Sequence, residues 1–203
     1  SYSPYGSFGG MQKLTNLKRM VEMATGNPTE NSYKGIALYM KAVSGFNMMM
    51  EMGDVPYSEA GLAEEGNTRP KYDKSADVVV SVLKDLKDAE ALFASTSTTF
   101  GGDFMYNGNP AKWRRLCNAM QLRILNAISK KITTEQKARF AEIVNANNLL
   151  TEADNYQLVY SENTNASYPF FNGENRRIVT APSDLVVDYL KLTNDRRLFY
   201  FAE

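Results

Sequence analysis

The stretch GDVPYSEA, residues 53–60, separates two helical patterns and decides how the surrounding chain folds. Gly53 tolerates the positive φ that often follows a helix end, and Pro56 has no amide hydrogen to donate. Proline also drives the preceding Val55 toward an extended backbone. The sequence therefore predicts that one helix ends near Met52 and that the chain turns a corner before the next helix.

The acidic and aromatic residues of this corner have a structural interpretation. Asp54 can accept hydrogen bonds from backbone amides of the turn, and Tyr57 can bury its ring while its hydroxyl finds a partner. The alternative is a catalytic or metal-binding carboxylate at Asp54 or Glu59, but no second group stands at a suitable spacing. We therefore interpret the stretch as a rigid corner between helices.

Apolar residues recur every three or four positions in six segments, which predicts six helices. They span about residues 11–25, 31–52, 74–94, 110–128, 134–147 and 184–192. Asn109 before Pro110 is a good helix cap, and Thr133 with Gln136 forms a capping-box pattern. Consecutive helices joined by corners indicate antiparallel pairs, although strict 34-residue repeats are absent. The prediction is an all-α fold of irregular tetratricopeptide-like helical hairpins with long loops.

The same periodicity predicts which side chains form the core. The predicted core residues are Ile36, Met40, Val43 and Phe46, then Val79, Leu83, Leu86 and Phe93, then Trp113, Cys117, Met120, Ile124 and Ile128, and finally Phe140, Ile143 and Val144. Tyr72 and Tyr189, which lie beside or within helices, are also predicted to pack. The basic residues expected on or near the solvated face and ends of the fourth helix are Arg114, Arg115, Lys130 and Lys131.

Composition limits the classes of function. A chain of 203 residues that is 43% hydrophobic and 23% charged can bury one sizeable core, which predicts a single domain. Its 23 basic residues balance 23 acidic ones at a pI near 6.4, which indicates no nucleic-acid partner and no anionic membrane surface. The absence of histidine removes the commonest general base and metal ligand. The lone Cys117 is interpreted as a buried, unreactive thiol.

The sequence contains no motif for a cofactor, a metal ion or a catalytic group. A P-loop, a dinucleotide fingerprint, zinc-ligand spacing and an EF-hand loop are all absent. Glu64 and Glu65 are neighbours in a charged loop, so they are poorly placed to converge on a sugar ring as a glycosidase pair. The prediction is a protein without cofactor, metal site or catalytic residues.

Five motifs carry a resemblance to a known family. The stretch at residues 53–60 closely resembles the corner of the SusD/RagB family of outer-membrane nutrient-binding proteins. Further motifs follow in the order of that family: RPKYDK at 69–74, WRRLCN at 113–118, Ser183 before LVVD at 185–188, and NDRRL at 194–198. The family usually has proline where this chain has Arg196, so the turn there is expected to be less rigid.

The resemblance implies a surface-exposed, non-catalytic protein that captures a glycan or a related nutrient oligomer. Such a protein hands the oligomer to a SusC-like TonB-dependent transporter at the extracellular face of the outer membrane, and its helix pairs carry long ligand-facing loops. In the family, the membrane is reached only through a lipidated N-terminal cysteine, which this chain does not contain. Because the family continues beyond the last motif, residues 1–203 are interpreted as a single SusD-like domain that is an internal section of a longer protein.

Aromatic rings can cover the faces of sugar rings while polar side chains bond their hydroxyls. The loop residues predicted to do so are Tyr2, Tyr5, Phe8, Tyr168, Phe170, Phe171 and Asn172. For each of them, packing of the loop onto the core is an equally good interpretation. Two other functions stay open at this point: a helical-repeat module whose main ligand is a protein, and a helical enzyme acting on glycans.

Overall fold

The computed structural model describes residues 8–157, 159–161 and 183–201. Its helices are α1 (Leu14–Ala24), α2 (Glu30–Met52), α3 (Ser75–Ala94), α4 (Pro110–Ala127), α5 (Thr134–Ala146), α6 (Asp184–Leu192) and the short α7 (Leu198–Phe201). Within these described ranges there is no strand, and an isolated antiparallel bridge joins Val55 to Asp73. The all-α prediction and all six predicted helices are confirmed, and α7 is an addition.

The chain divides into two compact units, Ser1–Tyr156 and Gln157–Glu203. The first unit contains α1 to α5, and its successive helices run antiparallel. Gly35 near the start of α2 lies against Phe93 near the end of α3, and Arg114 at the start of α4 bonds Glu90 of α3. The predicted tetratricopeptide-like hairpins are thereby confirmed.

The second unit contains α6 and α7, which are joined by a tight turn. Asn194 takes a positive φ of 50°, and the Asp195 carboxylate accepts hydrogen bonds from the guanidinium and the amide of Arg197. These hydrogen bonds from Arg197 hold the pKa of Asp195 at about 2. Asp195 and Arg197 therefore organise this turn, in which Arg196 stands where the resemblance leads us to expect proline.

The predicted helix caps are mostly confirmed. The Asn109 side chain accepts hydrogen bonds from the first amides of α4, and both halves of the capping box between Thr133 and Gln136 are present. Ser183 stands at the cap position of α6, but its side chain makes no capping hydrogen bond. Side-chain capping therefore defines the starts of α4 and α5.

Close approach of α2 to its neighbours shifts its buried face from the predicted one. The buried positions include Gly35, Tyr39, Ala42 and Phe46, whereas Ile36, Met40 and Val43 are only partly buried. A Cβ atom on Gly35 would lie 2.8 Å from the Phe93 ring, and one on Gly45 would lie 2.2 Å from the Tyr57 ring. Hydrophobic periodicity did not predict the observed buried face of α2 because it does not count glycine as a packing residue.

The corner at residues 53–60 forms as predicted, with one correction. Gly53 has a φ of 84°, and the Tyr57 ring is 1% exposed while its hydroxyl donates to Asp85 at 2.7 Å. The prediction that Asp54 bonds amides of its own turn is wrong. Its carboxylate instead accepts a hydrogen bond from the amide of Ser75, the first residue of α3. The corner is thereby tied to the start of the next helix.

Four further predictions of packing are wrong. Phe140 and Val144 on α5 are 38% and 43% exposed, because α5 packs mainly against α4 and buries only a narrow strip around Ile143. Tyr72 and Tyr189 are 61% and 63% exposed. The predicted burial of Trp113, Cys117, Met120 and Ile124 is confirmed, and Ile128 is partly buried.

Candidate functional site

The residues predicted to contact a ligand lie outside the described part of the chain. This holds for Tyr2, Tyr5, Tyr168, Phe170, Phe171 and Asn172. Phe8 begins a short 3₁₀ turn, but its side chain is also outside the described atoms. The role of these residues therefore stays a prediction.

A different aromatic residue stands out on the loop at residues 95–109, which we call the aromatic loop. Phe104 near its tip is 77% exposed. The neighbouring Asp103 carboxylate accepts hydrogen bonds from the amides of Met105 and Gly108, both at 2.9 Å, and from the Trp113 indole at 2.7 Å. One acidic side chain thus ties the loop to itself and to α4.

The backbone of the aromatic loop is closed on itself as well. The Phe100 amide donates to the Gly108 carbonyl at 3.2 Å. Gly108 has a φ of 71°, and a Cβ atom there would lie 1.9 Å from the Phe100 carbonyl oxygen. Because the loop is held at both of these points, Phe104 is displayed to solvent on a preorganised support.

Beneath the loop lies a cluster of rings around Trp113, which is 4% exposed. Trp113 meets Tyr39, Tyr106 and Tyr156 edge-on, with centroid distances of 5.4, 5.6 and 6.2 Å, and stacks on Phe93 at 6.0 Å. Tyr156 remains 46% exposed, so this ring connects the core to the surface.

A buried carboxylate fixes the other side of this cluster. Asp154 is 4% exposed, and it pairs with Arg115 at 2.9 Å and Lys112 at 3.3 Å. The Arg115 side chain is therefore only partly solvated, although the sequence predicts it on or near a solvated face. Burial opposes ionisation of Asp154, but hydrogen bonds from Thr151 and Lys112 outweigh it and hold its pKa below the ordinary value. The Asp154 carbonyl also accepts from the Tyr106 hydroxyl at 2.8 Å, and burial raises the pKa of Tyr106 to about 12, so that donor stays protonated.

An open cleft between α1 and the start of α2 adjoins the aromatic loop. Its volume is about 480 Å³, and its lining includes Asn16, Arg19, Met20, Met23, Asn27 and Tyr33. The Tyr33 hydroxyl donates to the Gly101 carbonyl at 3.2 Å, and its ring meets Phe100 edge-on at 5.5 Å. Tyr33 therefore lines the cleft and also contacts the aromatic loop, and we treat the cleft and the loop together as the candidate site.

The residue types of this site suit a neutral, polyhydroxylated ligand. Amide and guanidinium groups can bond hydroxyls, while Phe104 and the methionines offer apolar contact. Within residues 8–157, 159–161 and 183–201 no group of three or more acidic or cysteine side chains could hold a metal ion. Cys117 is fully buried, and burial raises the pKa of its thiol, so it is no nucleophile.

Sequence reasoning missed Phe104 because nothing local distinguishes it from Phe100. Both phenylalanines stand beside glycine or aspartate in the same loop, yet Phe100 is 5% exposed. The only signal was the turn-forming composition at residues 101–109, which predicts a loop without saying which ring faces outward. No motif or residue pattern in the sequence predicted the cleft.

None of the described helices is both long enough and apolar enough to cross a membrane.

Comparison with known proteins gives matches over nearly the whole chain. The family model described as "SusD-like_2: Starch-binding associating with outer membrane" matches residues 5–203. A solved SusD homologue from Bacteroides fragilis NCTC 9343 is 36% identical with a TM-score of 0.83, and the match covers 98% of this chain and 44% of that one. A second SusD homologue from the same organism is 29% identical with a TM-score of 0.78, covering 95% and 42%.

A solved chitin-binding protein is 26% identical with a TM-score of 0.71, and the match covers 98% of this chain and 44% of that one. The chain therefore spans less than half the length of these solved structures. No curated protein matches the chain.

Proposed function

Because the chain belongs to the SusD/RagB family of outer-membrane nutrient-binding proteins, we propose that it binds a glycan or a related nutrient oligomer without catalysis. It does so at the extracellular face of the outer membrane and delivers the oligomer to a SusC-like TonB-dependent transporter. The matching family is described as starch-binding, and one matched structure is a chitin-binding protein. Those descriptions support a polymer of sugars as the ligand class.

The observation that carries the proposal is the exposed Phe104 on its preorganised loop. A sugar ring presents an apolar face of C–H groups, and an aromatic ring can cover that face while polar neighbours bond the hydroxyls. Since Asp103 already orders the loop, little conformational entropy is lost on binding. The adjoining cleft supplies the polar side chains, with Asn16, Arg19 and Asn27 closest in chemistry to known hydroxyl-binding groups.

The same site supports binding rather than glycan hydrolysis. Hydrolysis requires two carboxyl groups that flank the scissile bond, one of them free to act as an acid. Asp103 is occupied by loop amides and the Trp113 indole, and no carboxylate lines the cleft among the residues that the structure describes. The arrangement therefore favours ligand binding without hydrolysis.

The proposal is tested by screening the protein on a glycan array that includes starch and chitin oligomers. We expect a hit whose affinity falls about tenfold in Phe104→Ala, because ring stacking is worth on the order of 1 kcal/mol and apolar contact is lost as well. Tyr72→Ala is the matched control, since Tyr72 is another largely exposed ring, at 61%, outside the aromatic loop. Both variants should keep the wild-type melting temperature.

A second variant, Phe170→Ala/Phe171→Ala, tests the ligand residues predicted from sequence. Loss of a glycan hit in this variant alone would place the site on the later loop and would contradict the assignment to Phe104. If the wild-type protein bound no glycan on the array, glycan binding would be contradicted. The function would then shift to the second candidate, a module whose main ligand is a protein, which the groove described next favours.

A further inference from the structure

A second concave surface lies at the far end of α2, and we call it the basal groove. It is formed by the end of α2, the start of α3, and residues 127–136, which run from the end of α4 into the first turn of α5. Its volume is about 580 Å³, within the roughly 300–1,000 Å³ that is usual for ligand-binding pockets. All of these elements belong to the first unit.

The floor of the basal groove is apolar and partly open to solvent. Met49 and Val79 are each 7% exposed, whereas the adjacent Met50 and Val80 are 58% and 59% exposed. Methionine side chains adapt readily to the shape of a partner. Met50 and Val80 both line the concavity, and exposed apolar surface within a concavity is a typical feature of a protein-binding surface.

One rim of the groove carries two neighbouring cations, Lys130 and Lys131. Both are exposed, and neither forms an ion pair with a carboxylate in the part of the chain that the structure describes. Their backbone is held by a hydrogen bond from the Lys131 amide to the Ile128 carbonyl at 2.8 Å. Asp77 is the sole acidic side chain among the described lining residues. The rim therefore favours a ligand with negative charge.

From these features we propose that the basal groove binds a peptide segment of a protein partner that is both apolar and acidic. Its apolar side chains contact Met50 and Val80, and its carboxylates pair with Lys130 and Lys131. A peptide can present two acidic side chains, one for each of the adjacent lysines, whereas a lipid or detergent with one charged head group presents a single anion. The groove is concave, which favours an inserted segment over a flat surface.

The basal groove can be occupied independently of the glycan site. Tyr33 of the cleft and Met50 of the groove lie 17 positions apart on α2, which corresponds to about 25 Å along the helix axis. The inference depends on no glycan contact, so it can fail or hold independently of the glycan-binding part of the proposed function.

The test is selection of a phage-displayed random-peptide library on the wild-type protein, with counter-selection on Val80→Asp. We expect enriched peptides that combine large apolar residues with Asp or Glu. In a fluorescence-polarisation assay, a synthetic peptide of the enriched sequence should bind about tenfold more weakly to Lys130→Glu/Lys131→Glu, and binding should weaken as salt rises. Lys137→Glu, an exposed lysine outside the groove, is the control that should bind like wild type.

Three outcomes would overturn the inference. One is the absence of any enriched peptide that distinguishes wild type from Val80→Asp, and another is enrichment of peptides without acidic residues. The third is a concentration-dependent dimer, seen by light scattering and lost in Val80→Asp, which would make a second copy the occupant. Because Val80, Lys130 and Lys131 are exposed, unchanged melting temperatures are expected to confirm that the variants fold.

Discussion

At the scale of residues, Gly45 sets the distance between α2 and the corner that follows it. The Tyr57 ring occupies the space where a Cβ atom of residue 45 would stand, 2.2 Å from the nearest ring carbon. The ring has little freedom to move, because its hydroxyl is bonded to Asp85 and Lys41 lies 4.5 Å from its centroid. The contact therefore depends on the absence of a side chain.

We expect Gly45→Ala to lower the free energy of unfolding by about 1–3 kcal/mol, the usual cost of overpacking a core. Urea denaturation measures the effect. Gly101→Ala is the control, since a Cβ atom there meets nothing within 4 Å and Gly101 has no positive φ. Equal denaturation midpoints for the two variants would contradict the packing argument.

Asp73 is the acidic residue that organises the corner, although the sequence drew attention to Asp54. Burial opposes its ionisation, but hydrogen bonds from the Ser58 amide and hydroxyl and from the Tyr57 amide outweigh burial. The pKa of Asp73 therefore lies below its ordinary value of 3.8. A lowered pKa in the folded state stabilises the protein above the unfolded pKa, and this stabilisation is lost as pH falls through the folded pKa.

Asp73→Asn is therefore expected to lower stability at neutral pH by about 1–3 kcal/mol, as a weaker acceptor leaves amides poorly satisfied. The difference in melting temperature from wild type should narrow as pH falls below about 3.8. Thermal scans across this pH range measure it. A difference that stays constant with pH would show that the charge of Asp73 does not stabilise the corner.

At the scale of elements, a polar network attaches α5 to the rest of the first unit. Glu90 of α3 accepts from Arg139 of α5 at 2.6 Å and from Arg114 of α4 at 3.4 Å. Gln121 of α4, fully buried, accepts from Arg139 at 3.0 Å. Because α5 buries little apolar surface beyond Ile143, these bonds carry much of its attachment.

Glu90→Ala should destabilise the protein by about 1–3 kcal/mol, less than the roughly 3–5 kcal/mol of a fully buried pair because both partners keep some exposure. Amide hydrogen exchange should accelerate most in α5. Asp88→Ala is the control, since its pair with Lys84 lies on the surface, is screened by solvent and contributes little to stability. Uniform acceleration of exchange across α2 to α5 would contradict a local role.

At the scale of the whole molecule, α2 connects two surfaces of different chemistry. Its 23 residues span about 34 Å, with the aromatic loop and cleft near its start and the basal groove at its end. The proposed glycan site and the proposed peptide site are therefore separated along one helix.

This arrangement predicts that the two proposed binding activities can be removed separately. Phe104→Ala should weaken glycan binding and leave the selected peptide unaffected, while Val80→Asp should do the reverse. Array binding and fluorescence polarisation on the same preparations measure both. Joint loss in either variant, with folding retained, would show that the surfaces are coupled or that one of the assignments is wrong.

The sequence by itself determined the helices, the corner and the family. Gly53 after α2, the capping pair of Asn109 and Pro110, and the box of Thr133 and Gln136 act through hydrogen bonds and φ values within a few residues, so local sequence is enough to read them. The order of the five motifs likewise indicated the SusD/RagB family, which the family match confirms.

Only the tertiary structure decided which residues face a ligand and which face the core. Phe100 is buried and Phe104 exposed, Gly35 and Gly45 are packing positions, and Asp73 bonds amides 15 and 16 positions away in the chain. The basal groove is assembled from three separate stretches of sequence. Each of these features depends on contacts between residues far apart in sequence. Hydrophobic periodicity shows which face of one helix is apolar, but it does not show which residues of other elements pack against that face.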